Sequence, residues 1–170
     1  MNFKFNKAVF YFRDVVNSTP FDSNHNMGLY SALYSWLGDI METLDYYVWA
    51  VDCYLKCCKY YFDHPNFSHP FVTVAFIYLK IAEIFYSTSK EKRENTELAK
   101  YYYHNAFNYL DESNLKQNKT FIELSPFTIY YNQAAIAIRV GCILYLERNF
   151  TKSIDFLTRA EKLLLKIRFE

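Results

Sequence analysis

Apolar residues recur at three- and four-residue steps along most of the chain, and short polar, turn-forming segments interrupt them, the pattern of successive amphipathic helices. The clearest stretch is residues 134–167, AAIAIRVGCILYLERNFTKSIDFLTRAEKLLLKI, which reads as two helices with small residues at Gly141, Ser153 and Ala160. Apolar anchors surround them: Val140 and Leu144, Phe150 at the turn, then Ile154 and Leu157. Upstream, Phe5, Val9, Phe12 and Val16 share one face of a predicted N-terminal helix over 2–16, and NSTPFDSNHN, 17–26, reads as a linker. Helices are predicted over 27–43 and 46–62, forming a hairpin over 27–64. Pro70 suits the first turn of a helix reaching about 86, and the polar loop STSKEKREN separates it from a helix over 96–111. Beyond ESNLKQNKT and the short apolar piece 121–124, Ser125-Pro126 is an N-cap and N1 pair that opens a helix to about 147. A last helix begins after Asn149, so that 70–111 and 126–168 form two further hairpins.

The three hairpins share one register. Gly38, Ala82 and Gly141 each follow an apolar residue directly (Leu37, Ile81, Val140) and precede another by three (Met41, Phe85, Leu144). Twelve residues separate Gly38 from Ala50 and Gly141 from Ser153; the middle unit is longer, the excess falling in its polar loop. The second helices then agree without gaps as Ala50, Tyr54, Cys57; Ala99, Tyr103, Ala106; and Ser153, Leu157, Ala160. Two helices that cross closely require small side chains at the contact and a large one in the neighbouring groove. WLGDIMETLDYYVWAVDCYLKC and RVGCILYLERNFTKSIDFLTRA carry these positions best, and with them the chain resembles the tetratricopeptide repeat (TPR) family over about residues 31–167. The resemblance implies an all-α fold of antiparallel helical hairpins stacked as a short right-handed superhelix. The array is expected to be irregular, because the small-residue steps exceed the family's ~34-residue period and Phe62 and Leu165 replace the proline that ends a typical repeat.

Such an architecture lines its inner surface with the first helix of each hairpin. Here that implies Ala32, Ser35, Asp39, Phe76, Leu79, Glu83, Tyr86, Ile138, Arg139, Cys142 and Tyr145, an apolar-leaning wall suited to an amphipathic helix or an extended apolar peptide. The alternative occupant is the chain's own N-terminal helix or the 121–124 segment. Members of the family that grip a chaperone's C-terminal carboxylate use a Lys, Asn, Asn, Lys, Arg set. Those places hold Ser35, Asp39, Lys80, Ala135 and Arg139, of which Arg139 alone matches. A heat-shock chaperone C-terminus is therefore not the expected partner, and Asp39 would repel it. The resemblance implies a non-catalytic interaction module, a scaffold or subunit of an assembly. The rival readings are a small chaperone or regulator that holds a client segment, and an enzyme on a helical scaffold.

Composition narrows this further. The chain has 170 residues, 52% of them hydrophobic, with 17 Tyr, 16 Phe, 3 Gly and 4 Pro, enough for one self-sufficient helical domain. Net charge is +1 with Lys and Arg scattered, a poor footprint for nucleic acid. The start has Lys4, Lys7 and Arg13 among its apolar residues, unlike a signal peptide, and the uncharged run 64–79 contains Pro65 and Pro70 and is shorter than the ~20 residues of a bilayer span. No membrane or nucleic-acid partner is expected. Four cysteines, three within one helical stretch, do not make a disulfide framework and fit a reduced, cytoplasmic or nuclear setting. Cys53, Cys57, Cys58, His64 and His69 are candidate metal ligands by residue type, but Cys57 occupies the small-residue contact, so packing is the expectation and no metal or cofactor is assigned. The histidines lack an orienting partner in sequence, and glycines are too few for a phosphate loop. Leu165 and Phe169, on the outer side of the last helix, point to self-association or docking into a complex.

Overall fold

The computed structural model describes residues 24–63, 70–89, 93–110 and 125–169, with isolated positions before them. The fold is all-α. Among the described residues there are six helices: α1 (Asn24–Thr43), α2 (Tyr47–Asp63), α3 (Pro70–Ser87), α4 (Arg93–Tyr109), α5 (Pro126–Leu146) and α6 (Phe150–Phe169). They pack as the pairs α1/α2, α3/α4 and α5/α6, with α4 also against α5. The helix expected over 2–16 lies outside the described residues but for isolated positions, and the 121–124 segment lies wholly outside them. Two helices start three residues earlier than the pattern predicts, at Asn24 and Arg93. Asn95, read as loop, lies in the first turn of α4 and donates from Nδ2 to the Thr88 hydroxyl at 3.0 Å. The chain divides into two compact units, Met1–Phe67 and Ser68–Glu170.

In the first unit α1 and α2 meet where Gly38 faces Tyr54. Ala50 and Tyr54 are fully buried, with Cys53, Cys57 and Cys58 on the same side of α2. A Cβ on Gly38 would overlap the Tyr54 ring, so glycine is what lets the helices approach. The hydroxyl of Tyr54 lies 2.6 Å from Asp39 Oδ1 and 2.8 Å from Glu42 Oε2 and shares its one proton between them. Farther from the turn, Tyr60 stacks on Tyr30 and Tyr34, with centroids 5.8 and 5.7 Å away. Burial pushes the Cys53 thiol up to about 11 and the Cys57 thiol to about 12, and raises Cys58 further. All three are therefore neutral packing groups at ordinary pH.

In the second unit α3 and α4 pack through Ala75, Ala82, Ala99 and Ala106, all fully buried, with Tyr103 filling the groove beside them. The α5/α6 pair does the same with Ala134, Ala137 and Gly141 against Ser153 and Ala160. Here the close approach exposes a helix carbonyl, and the buried Ser153 hydroxyl donates to Gly141 O across the contact at 2.8 Å. Leu157 covers Gly141 as Tyr54 covers Gly38. Lys100 ties α4 to the end of α5, reaching Glu97 at 2.7 Å and Glu147 at 2.8 Å. The side of α6 turned inward is Ser153, Phe156, Ala160 and Leu163, whereas Ile154, Leu157 and Leu164 are 40% or more exposed.

The turns of the first and last hairpins are built alike. Asp45 and Arg148 each adopt φ 61°. Tyr46 N donates to Met41 O at 2.9 Å and Asn149 N to Leu144 O at 2.8 Å, while Asp45 N and Arg148 N donate to Glu42 O and Tyr145 O. These are paired six-to-one and five-to-two bonds that satisfy the last carbonyls of the helix and reverse the chain. The next helix then starts in the same register, Ala50 N donating to Tyr46 O and Ser153 N to Asn149 O. A shared turn followed by a shared contact explains the twelve-residue step.

Candidate interaction face on α3 and α5

The residues expected to line a binding wall fall on three helices: Ser35 and Asp39 on α1; Phe76, Leu79, Glu83 and Tyr86 on α3; Ile138, Arg139, Cys142 and Tyr145 on α5. Ser35 is half-buried, and Asp39 is engaged with the Tyr54 hydroxyl inside its own hairpin. Its carboxylate therefore serves the α1/α2 contact.

In the second unit the structure brings Glu83, Tyr86 and Arg139 together. Arg139 Nε donates to Glu83 Oε1 at 3.3 Å, and its guanidinium carbon lies 5.3 Å from the centre of the Tyr86 ring. Both charged side chains keep 39–49% exposure, so the pair contributes at most ~1 kcal/mol to stability. The Glu83 carboxylate raises the Arg139 pKa further, which leaves it cationic throughout. Beneath them sits Tyr103, fully buried, its ring edge-on to Tyr86 with centroids 6.5 Å apart. Its hydroxyl has no hydrogen-bond partner of ordinary geometry. Burial, with the nearby Glu83 carboxylate, drives its pKa far above the usual tyrosine value. Sequence reasoning placed Tyr103 only as a packing residue; its position beneath the Glu83–Arg139 pair comes from folding.

Leu79 packs against the buried cluster and Phe76 is half-buried, so both belong partly to the core. The α5 residues differ. Ile138, Cys142 and Tyr145 are exposed, and with Phe127 and Tyr131 they run along one side of α5. Phe127 stacks on Tyr131 at 6.0 Å and Tyr145 meets Phe150 edge-on at 5.6 Å, which fixes the rings at both ends of the stripe. Arg139, beside it, is paired with Glu83. By length and composition alone α5 is long and apolar enough to cross a membrane, and half of that apolar window is buried inside the fold. The site thus offers apolar contact, one guanidinium and a buried hydroxyl. Among the described residues no three metal-ligating side chains converge.

No family model matches the chain, and no curated protein matches it. Among solved structures, the chain is similar to the crystal structure of BtubC (BKLC) from P. vanneervenii, with a TM-score of 0.50 and 15% identity over 98% of this chain and 75% of that one. At that identity the likeness concerns the fold alone.

Proposed function

We propose that this protein is a non-catalytic interaction module built of TPR-like hairpins, a scaffold or assembly subunit that receives an apolar helix or extended apolar peptide on the α3/α5 face. The observation that carries the reading is the apolar stripe of α5. Ile138 is 39% and Tyr145 60% exposed, on a helix held rigid from its other side by Ala134, Ala137 and Gly141. Rigid, exposed aromatic and aliphatic groups with few competing charges are what a peptide-binding groove supplies. The Arg139 guanidinium adds a donor that can fix the register of a peptide carbonyl. The exposed Ile154, Leu157 and Leu164 on α6 support a place in a larger assembly.

The test exploits the thiols. Cys142 is exposed, whereas Cys53, Cys57 and Cys58 are buried. A photo-crosslinker attached through a maleimide therefore goes to Cys142, in the middle of the stripe. Crosslinking in cell extract should give a discrete adduct mapped to an apolar segment of a partner. Tyr145→Ala should weaken capture by about 2 kcal/mol, roughly thirtyfold, the loss expected of one aromatic anchor, with thermal unfolding nearly unchanged. Adducts confined to the chain itself, together with a marked loss of stability in Tyr145→Ala, would show that the chain fills its own face and would sink the proposal.

A further inference from the structure

A second candidate site lies on a different side of the same unit. A cavity of about 350 Å³ opens between the end of α4, the start of α5 and the second half of α6. Its floor includes Phe107 and Gln133, each only 5% exposed, and Gln133 Nε2 donates to Leu110 O at 3.0 Å, which fixes that floor. One wall carries Arg159, Lys162 and Lys166, spaced three and four residues apart and therefore on one face of α6. The Arg159 guanidinium sits 4.0 Å from the Phe107 ring centre, and the Lys166 ammonium 4.9 Å from that of Tyr130. Rings under the cations hold them at the cavity without neutralising them. Among the described residues no carboxylate pairs with any of the three. Favourable interaction with the helix C-terminus accounts for Lys166 in the last turn but does not reach Arg159, two turns earlier.

We propose that this groove binds an acidic segment of a partner protein in extended conformation, its carboxylates meeting Arg159, Lys162 and Lys166. The spacing favours a peptide over a single phosphate. Seven residues of helix separate the outer cations by about 10 Å along the axis, and alternate side chains of an extended chain stand about 7 Å apart on one face. Two carboxylates of such a segment span the row, whereas one phosphate meets only part of it. A nucleic acid is disfavoured by the net charge of +1.

The experiment is fluorescence anisotropy of the full chain with a fluorescein-labelled peptide of alternating Glu and Gly, against a Gln/Gly control. The Glu peptide should bind saturably, weaken with added salt, and lose about tenfold in affinity in Lys162→Glu/Lys166→Glu. Both lysines are exposed, and circular dichroism checks that the variant stays folded; Lys162→Gln, a milder change, should show a smaller loss in the same direction. Tyr145→Ala should leave this binding intact, which separates the site from the α3/α5 face. Absence of saturable binding, equal binding of the Gln peptide, or undiminished binding by the folded double variant overturns the proposal. So does displacement of the peptide by an equal concentration of inorganic phosphate or of a single-stranded oligonucleotide, which would assign the groove to a phosphate group instead.

Discussion

Gly38→Ala should destabilise the first unit although it improves helix propensity. Alanine in a helix interior is favoured over glycine by about 1 kcal/mol, and Gly38 lies within α1. Against that gain, the new Cβ would stand 2.6 and 2.9 Å from Tyr54 Cδ1 and Cζ and closer still to Cε1. The ring cannot yield cheaply: Tyr54 is fully buried and its hydroxyl is held by Asp39 and Glu42. Overpacking of this kind costs about 1–3 kcal/mol, and a clash with three carbons of a pinned ring belongs at the top of that range. The net loss is about 2 kcal/mol, roughly a thirtyfold fall in the folded-to-unfolded ratio. Gly141→Ala is the internal comparison. Its Cβ meets Leu157 Cγ and Cδ2 at 2.9 Å, but Leu157 is 40% exposed and can swing toward solvent, so the change should be near neutral. Because Cys53, Cys57 and Cys58 are buried in α2, pulsed alkylation along a urea gradient, in a Cys142→Ser background and read by mass, reports unfolding of the first unit alone. Gly38→Ala should lower the urea midpoint, and Tyr54→Leu, which removes the obstructing ring, should cost less in the Gly38→Ala background than alone. A midpoint unchanged or raised by Gly38→Ala would refute the close approach as the reason for the glycine.

Two further outcomes follow from the buried polar groups. Tyr103→Phe removes a buried hydroxyl without a partner and should stabilise the second unit by about 1 kcal/mol; a loss of that size in thermal unfolding would mean that the hydroxyl is bonded to Glu83 in solution. Raised thiol pKa values favour the neutral form of the folded chain, so their stabilisation is complete below the ordinary value of 9.0 and is lost as pH climbs through about 11 for Cys53 and about 12 for Cys57; the urea midpoint should stay flat to about pH 9 and then fall, and Cys53→Ala should make that fall shallower, an unchanged slope contradicting the assignment.

Much of the scaffold was legible in the order of residues because it rests on local physics. Ser125 does cap α5, accepting from Thr128 N at 3.3 Å, and Pro126 does open it. The small residues at Gly38, Ala82 and Gly141 do mark close helix contacts, because a missing side chain is a local property that any neighbouring helix must respect. On α6 Ser153 and Leu157 do meet Gly141 of α5 and Ala160 is buried, as the register predicts, whereas Ile154, read as an apolar anchor, is exposed.

The candidate sites divide in the same way. The sequence by itself determined that helices would pair, at which residues they would touch, and that α5 would carry Ile138, Cys142 and Tyr145 on one side, because helical period and short turns fix those relations within a few residues. Only the tertiary structure decided that Asp39 would be taken by Tyr54, that Arg139 would reach Glu83 on another hairpin with Tyr103 beneath them, and that the three cations of α6 would gather over Phe107 and Tyr130. The spacing of Arg159, Lys162 and Lys166 signals a common helical face, but the charge pattern along the chain reads only as scattered Lys and Arg. Whether a charge is solvated, paired or aimed into a cavity depends on what another helix places opposite it, and that is settled by packing between distant segments.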